Sequence, residues 1–327
     1  MIITPVYAGG DPEFLPISEV REGMKGYGLS VFRGRTPERF EVEVVGVLPN
    51  RLPTQSLIIV RMKGQDLERS GTIAGMSGSP VYLDGKLAGA VAYAWGFAMD
   101  PIAGVTPIEN MLTDLNRDPR TIGEYADKSN FRSIWGPYIQ DGDLAAAIRR
   151  LGGAARSSAG NRVPVQIPLG LPPMHPELSA QFEQGFRQVG IFPVAGVAEG
   201  QKGLEPPVEK PVGGGALGVA YLMGDITMAG VGTITYVDGE RMIGFGHPMM
   251  QFGPTDFPIV DAKIITVMAS RNISFKMASS GEPIGQLTGD FQSSVVGRYD
   301  TRSRLVPLDI LIRAPELKVD RIFRMRA

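Results

Sequence analysis

Two residues of the chain have the type and setting needed for acyl-transfer chemistry. Ser77 stands in Gly75-Met76-Ser77-Gly78-Ser79-Pro80, immediately before an apolar run. A serine flanked by glycines in a tight turn is what a hydroxyl nucleophile requires. The glycines permit unusual backbone angles and let a substrate carbonyl approach closely. Consecutive N–H groups from Gly75 to Ser77 can converge on a tetrahedral oxyanion. The same pattern also occurs as an ordinary turn between strands, and Ser79 is a second hydroxyl in it.

His247 stands in Gly244-Phe245-Gly246-His247-Pro248. A ring held between glycines and a proline at a strand end is positioned, and imidazole titrates in the range of a general base. The second histidine, His175 in Pro173-Met174-His175-Pro176, sits in a stretch of different character and is the weaker candidate. With two histidines and no cysteine, a three-histidine metal site, thiolate chemistry, zinc–thiolate sites, iron–sulfur clusters and disulfides are excluded. No cofactor and no metal is expected.

The elements that must hold these residues read as strands. Gly 42 and Pro 26 make up about a fifth of the 327 residues, a density of turn formers that fits many short strands and argues against a helical bundle. Residues 41–48 alternate charged and apolar side chains, and residues 56–62 form a β-branched run. Residues 80–83 and 86–93 flank Asp84-Gly85, a hairpin signal, and a second Asp-Gly pair, Asp238-Gly239, joins residues 232–237 to 240–246. Apolar segments resume at 262–268, 305–312 and 317–323. Between the hairpins, residues 116–215 show helical signals at 144–151 and 178–189, and read as an insertion or linker subdomain. The expected division is thus a serine-bearing β half (1–115), the insertion (116–215) and a histidine-bearing β half (216–327).

Lys+Arg 33 against Asp+Glu 34 gives a net charge of -1 and no reason to expect a nucleic-acid partner. No run of eighteen apolar residues suggests an integral membrane segment, and the start lacks the basic region of a signal peptide. Ala92, Tyr93, Ala94 and Trp95 follow Ser77 across one hairpin and are expected to form a strand edge that accepts a peptide by β-addition.

The serine motif and the residues after it, Val81-Tyr82-Leu83-Asp84-Gly85-Lys86-Leu87-Ala88-Gly89-Ala90-Val91, closely resemble the serine motif of the sporulation stage IV protein B peptidases. They are more distantly similar to the Gly-Asp-Ser-Gly-Gly-Pro of trypsin-like enzymes. Val20-Arg21-Glu22-Gly23-Met24, Phe40-Glu41-Val42-Glu43-Val44-Val45 and Gly104-Val105-Thr106-Pro107-Ile108-Glu109-Asn110-Met111-Leu112 resemble the flanking segments. Gly232-Thr233-Ile234-Thr235-Tyr236, Gly246-His247 and Gly281-Glu282-Pro283-Ile284-Gly285 resemble the family's histidine region.

The resemblance implies a mainly β, chymotrypsin-like two-barrel fold. Because Ser77 precedes His247 here, it also implies a circular permutation. It further implies a serine endopeptidase with a protein or peptide substrate and a possible homodimer, working outside the cytoplasm in regulatory cleavage. Ser77 would be the nucleophile, His247 the general base, and the N–H groups of Gly75 and Ser77 the oxyanion hole. The family's aspartate precedes its serine, but no acid stands around Met62-Lys63-Gly64. Asp256 is the preferred orienting carboxylate, since Gly253 and Pro254 can fold the chain back beside His247; Asp261, Asp290 and Asp66 follow, and a bare Ser/His dyad is the other solution. The missing acid also keeps open a catalytically inactive peptide-binding or assembly module that retains the fold.

Overall fold

A computed structural model describes residues 13–52, 55–95, 98, 100–117, 162–171, 176–188, 191–195, 210–314 and 319–327. The first body is built from β1 (Lys25–Ser30), β2 (Glu38–Leu52), β3 (Gln55–Lys63), β4 (Pro80–Leu83), β5 (Lys86–Trp95) and β6 (Ile102–Pro107). They pair antiparallel in the order β1-β2-β3-β6-β5-β4, and β4 returns to β1, so the sheet closes into a six-stranded barrel. The alternation in β2 turns Phe40, Val42 and Val44 inward and Glu41 out. These side chains meet Ile58, Val60 and Met62 of β3, Val91 of β5 and Val105 of β6 in the core. Asp84 and Gly85 both take positive φ, 49° and 79°, which fits the two-residue hairpin turn between β4 and β5. Two short helices accompany the barrel: α1 (Leu67–Ser70) after β3 and α2 (Ile108–Leu115) after β6.

A second closed barrel follows the same plan. Strands β10 (Ala216–Gly224), β11 (Met228–Asp238), β12 (Arg241–Gly244), β13 (Gly253–Met268), β14 (Phe275–Asp290) and β15 (Val295–Arg298) pair in the order β10-β11-β12-β15-β14-β13, and β13 returns to β10. Leu217, Val219, Ile234, Phe245, Ile259, Leu287 and Val295 fill it. Two packed antiparallel barrels are the chymotrypsin-like arrangement expected from the sequence. A final ribbon, β16 (Pro307–Ala314) with β17 (Val319–Arg326), attaches to β10 at Met223 and Gly224.

The stretch expected to form a separate insertion does not stand apart where it is described. β7 (Arg162–Pro164) adds to β5 of the first barrel, β8 (Ile167–Leu171) adds to β11 of the second, and β9 (Ile191–Ala195) runs parallel to β8. Short apolar runs of this length bury themselves most readily by completing a sheet edge. The helix expected at 178–189 is present as α3 (Pro176–Gln188), whereas residues 144–151 and His175 lie outside the described residues. Among the described residues, no helix is long and apolar enough to cross a membrane.

The barrels share a seam. Gly34 and Ile264 exchange backbone hydrogen bonds of 2.7 and 2.9 Å, and Ala74 donates to Ser274 O at 2.7 Å. One apolar cluster joins Leu87, Ala90, Ile108 and Met111 of the first half to Tyr236, Ile243 and Val296 of the second.

Candidate active site

Ser77 sits at the seam, in the turn that leads into β4. Gly78 has φ +91°, and any Cβ there would strike the Thr233 carbonyl oxygen and the Phe245 backbone nitrogen, so only glycine fits. The second barrel takes up the turn's carbonyls one after another. Thr233 Oγ1 donates to Gly75 O at 3.0 Å, Thr233 N to Ser77 O at 2.8 Å, and Thr235 Oγ1 to Gly78 O at 2.7 Å.

His247 is held in the converse way, by a loop of the second barrel laid on the first. Thr106 Oγ1 of β6 donates to Gly246 O at 2.6 Å. Gly246 lies against β5, where a Cβ would come within 3.0 Å of Ala92 Cβ and 3.3 Å of Val91 O. Val91 O also accepts the Gly78 N–H at 2.8 Å. The two sequence-selected loops therefore converge on one carbonyl of β5, although they come from opposite halves of the chain.

Both reactive atoms are buried. Ser77 is 0% and His247 1% exposed, and neither Ser77 Oγ nor His247 Nε2 has a hydrogen-bond partner among the described residues, each other included. His247 Nδ1 lies 2.8 Å from Pro248 O, which sets Nδ1 as the protonated nitrogen and leaves Nε2 with a free lone pair. Burial pushes the imidazole pKa down to about 4; the carbonyls of Pro248 and Val165 oppose this, the latter without completing a hydrogen bond. The ring is consequently neutral at neutral pH, the state a general base needs.

The carboxylate expected beside the ring is elsewhere. Asp256, on β13, accepts from Gln286 Nε2 at 2.8 Å and Arg304 Nε at 3.2 Å. Asp261 pairs with Arg35 at 2.7 Å, and Asp66 is exposed beside Arg69. Asp290 is fully buried and accepts the N–H groups of Met249 (2.7 Å), Met250 (2.7 Å) and Phe252 (3.2 Å). Burial raises its pKa, and those backbone donors pull it back. Asp290 thus clamps the loop that follows His247, while the Pro248 carbonyl occupies the place sought for an acid. Sequence spacing alone does not show this, because the carboxylate works on backbone and not on the ring.

Lys276 is a further residue that motif reading misses. It is 1% exposed, donates to Ser30 Oγ at 2.8 Å and to Thr233 Oγ1 at 3.4 Å, and its stem packs on Gly75. Ser79 Oγ donates to the same Ser30 oxygen at 2.9 Å, so the second hydroxyl of the motif is engaged in a buried network. Burial pushes the lysine pKa down to about 7. Its signal in the sequence is parity: on an alternating strand Lys276 shares a face with Ala278 and Ser280, both buried.

The peptide-accepting edge is also different from expectation. Tyr93, Ala94 and Trp95 pair with Pro164, Val163 and Arg162 of β7, and Val165 N donates to Ala92 O at 2.8 Å. The edge is already filled by the chain itself.

Residues 14–112 match the SpoIVB peptidase S55 family. The match spans the first barrel, its serine turn and most of α2, under half of the chain, and supports a serine peptidase function with a protein substrate. Comparison with curated proteins and with solved structures gave no match. The match does not reach the histidine half.

Proposed function

We propose that the chain is a serine endopeptidase working with a Ser77/His247 dyad built across the two barrels. Ser77 Oγ attacks the scissile carbonyl and His247 Nε2 takes its proton. The N–H groups of Gly75 and Ser77 face the developing oxyanion. His247 then returns the proton to the leaving amine, and water hydrolyses the acyl-enzyme by the same route. The Pro248 carbonyl keeps the ring in the required tautomer in place of a carboxylate. The observation that carries the reading is the pair of buried, unpartnered atoms, Ser77 Oγ and His247 Nε2, on loops that meet at Val91. Family resemblance supports cleavage of one protein partner outside the cytoplasm.

A fluorophosphonate probe read by intact mass tests this. One adduct at Ser77 is expected in the wild type, and none in Ser77→Ala. His247→Ala should lose labelling by orders of magnitude, because the Ser77 hydroxyl is then left without a base. Full labelling of Ser77→Ala would end the assignment.

A further inference from the structure

Residues 162–171 follow a single path across the seam. Residues 162–164 pair antiparallel with β5, and Val165 N donates to Ala92 O at 2.8 Å. Gln166 O accepts the Gly75 N–H at 3.0 Å, and the chain then continues as β8 on β11 of the other barrel. Val165 is 2% exposed and belongs to the first barrel's core cluster. Its carbonyl acts on the His247 ring, opposing the fall in the imidazole pKa that burial causes.

A peptide entering a serine peptidase must do these same things. It must add to a strand edge, present a carbonyl to the oxyanion N–H groups, and pass beneath the base into the second barrel. Building on the Ser77/His247 reading, we propose that residues 162–166 are an internal ligand of the substrate groove. The groove therefore takes an extended peptide in the register of this segment. The carbonyl at the position of Gln166 is the one offered to Gly75 N–H, and the residue before it fills a buried apolar subsite now held by Val165. A protein substrate enters only when the segment withdraws from β5.

The attachment is of a kind that can release. β7 is three residues long, Val163 is 40% exposed, and Pro164 offers no N–H to the ladder. The buried Gln166 Oε1 has no hydrogen-bond partner among the described residues, so the segment's last side chain gains little in place.

The chain contains no cysteine, so a disulfide between Ala94→Cys and Val163→Cys, cross-strand partners in this register, would be the only one and would lock the segment reversibly. Val165→Pro removes the donor to Ala92 O and should release it; Val165→Gly is a gentler release should the proline variant not fold. The probe is a fluorescein-labelled peptide Arg-Val-Pro-Val-Gln, followed by anisotropy on the full chain. Either release variant is expected to bind it at least tenfold more tightly than the wild type. The oxidised lock is expected to bind at least tenfold more weakly than its reduced form, and replacing the peptide's second valine by aspartate should lose at least tenfold. Equal affinity in locked, reduced and released proteins overturns the proposal. Fluorophosphonate labelling is read in parallel. Adducts at Ser77 that form equally fast in all variants overturn the proposal and leave the nucleophile intact. No adduct in any variant, with the expected order of peptide affinities, overturns the nucleophile and upholds the internal ligand.

Discussion

The two barrels share a strand plan, yet they hold their reactive side chains by different means. In the first, Ser77 is shaped by the backbone: a glycine that admits no Cβ, and carbonyls handed to Thr233 and Thr235. In the second, His247 is shaped by a buried carboxyl group, since Asp290 gathers three amides of the following loop and so fixes the Pro248 carbonyl on Nδ1. A backbone solution leaves a compact local motif, and that is the half matched to the S55 family. A carboxyl group placed far along the chain leaves no local motif.

The comparison breaks first at Gly78. Gly78→Ala forces a Cβ into the Thr233 carbonyl at a positive φ, and urea denaturation should show a loss of at least about 3 kcal/mol, with the seam opening. The matching lesion in the second barrel is Asp290→Ala. It strands buried amide donors and should cost about 3 kcal/mol in the same assay; probe labelling should fall with it, because the tautomer of His247 is no longer fixed. Asp290→Asn, which keeps shape and loses charge, should recover part of the stability and less of the labelling.

The pH dependence separates the two buried bases. Folding lowers the His247 pKa from 6.5 to about 4, so between these values the unfolded chain binds the extra proton. Stability should therefore fall as pH drops through this window, and His247→Gln should flatten that fall. Lys276 has its pKa lowered from 10.5 to about 7, so stability should rise as pH increases across that range. Lys276→Met should remove that rise, as thermal melts across pH will show. The smallest effect belongs to Asp256→Asn: its partners Gln286 and Arg304 lie away from the ring and Arg304 is largely exposed, so stability should change by less than about 1 kcal/mol and labelling should not change.

These contrasts show what the sequence could disclose. Ser77 and His247 were legible because each needs glycine beside it, and the two Asp-Gly hairpins located the strands that carry them. Nearness in sequence to His247 does not make Asp256 a partner of the ring, because on β13 its carboxylate is bound to Gln286. The occupied edge of β5 was hidden for another reason. The three residues of β7 carry too little periodicity to read as a strand, so the sequence does not show that the edge of β5 has a partner.

The braces on the serine turn also bear on the order of synthesis. Gly75, Ser77 and Gly78 take their hydrogen bonds from Thr233 and Thr235, and the Gly75 side of the turn rests on Lys276. A ribosome completes the first barrel long before those residues leave the exit tunnel. The emerging polypeptide therefore carries Ser77 without the contacts that shape its turn, and before His247 has been made. The serine turn therefore reaches its folded shape only once the strands carrying Thr233, Thr235 and Lys276 have been made and have closed against it.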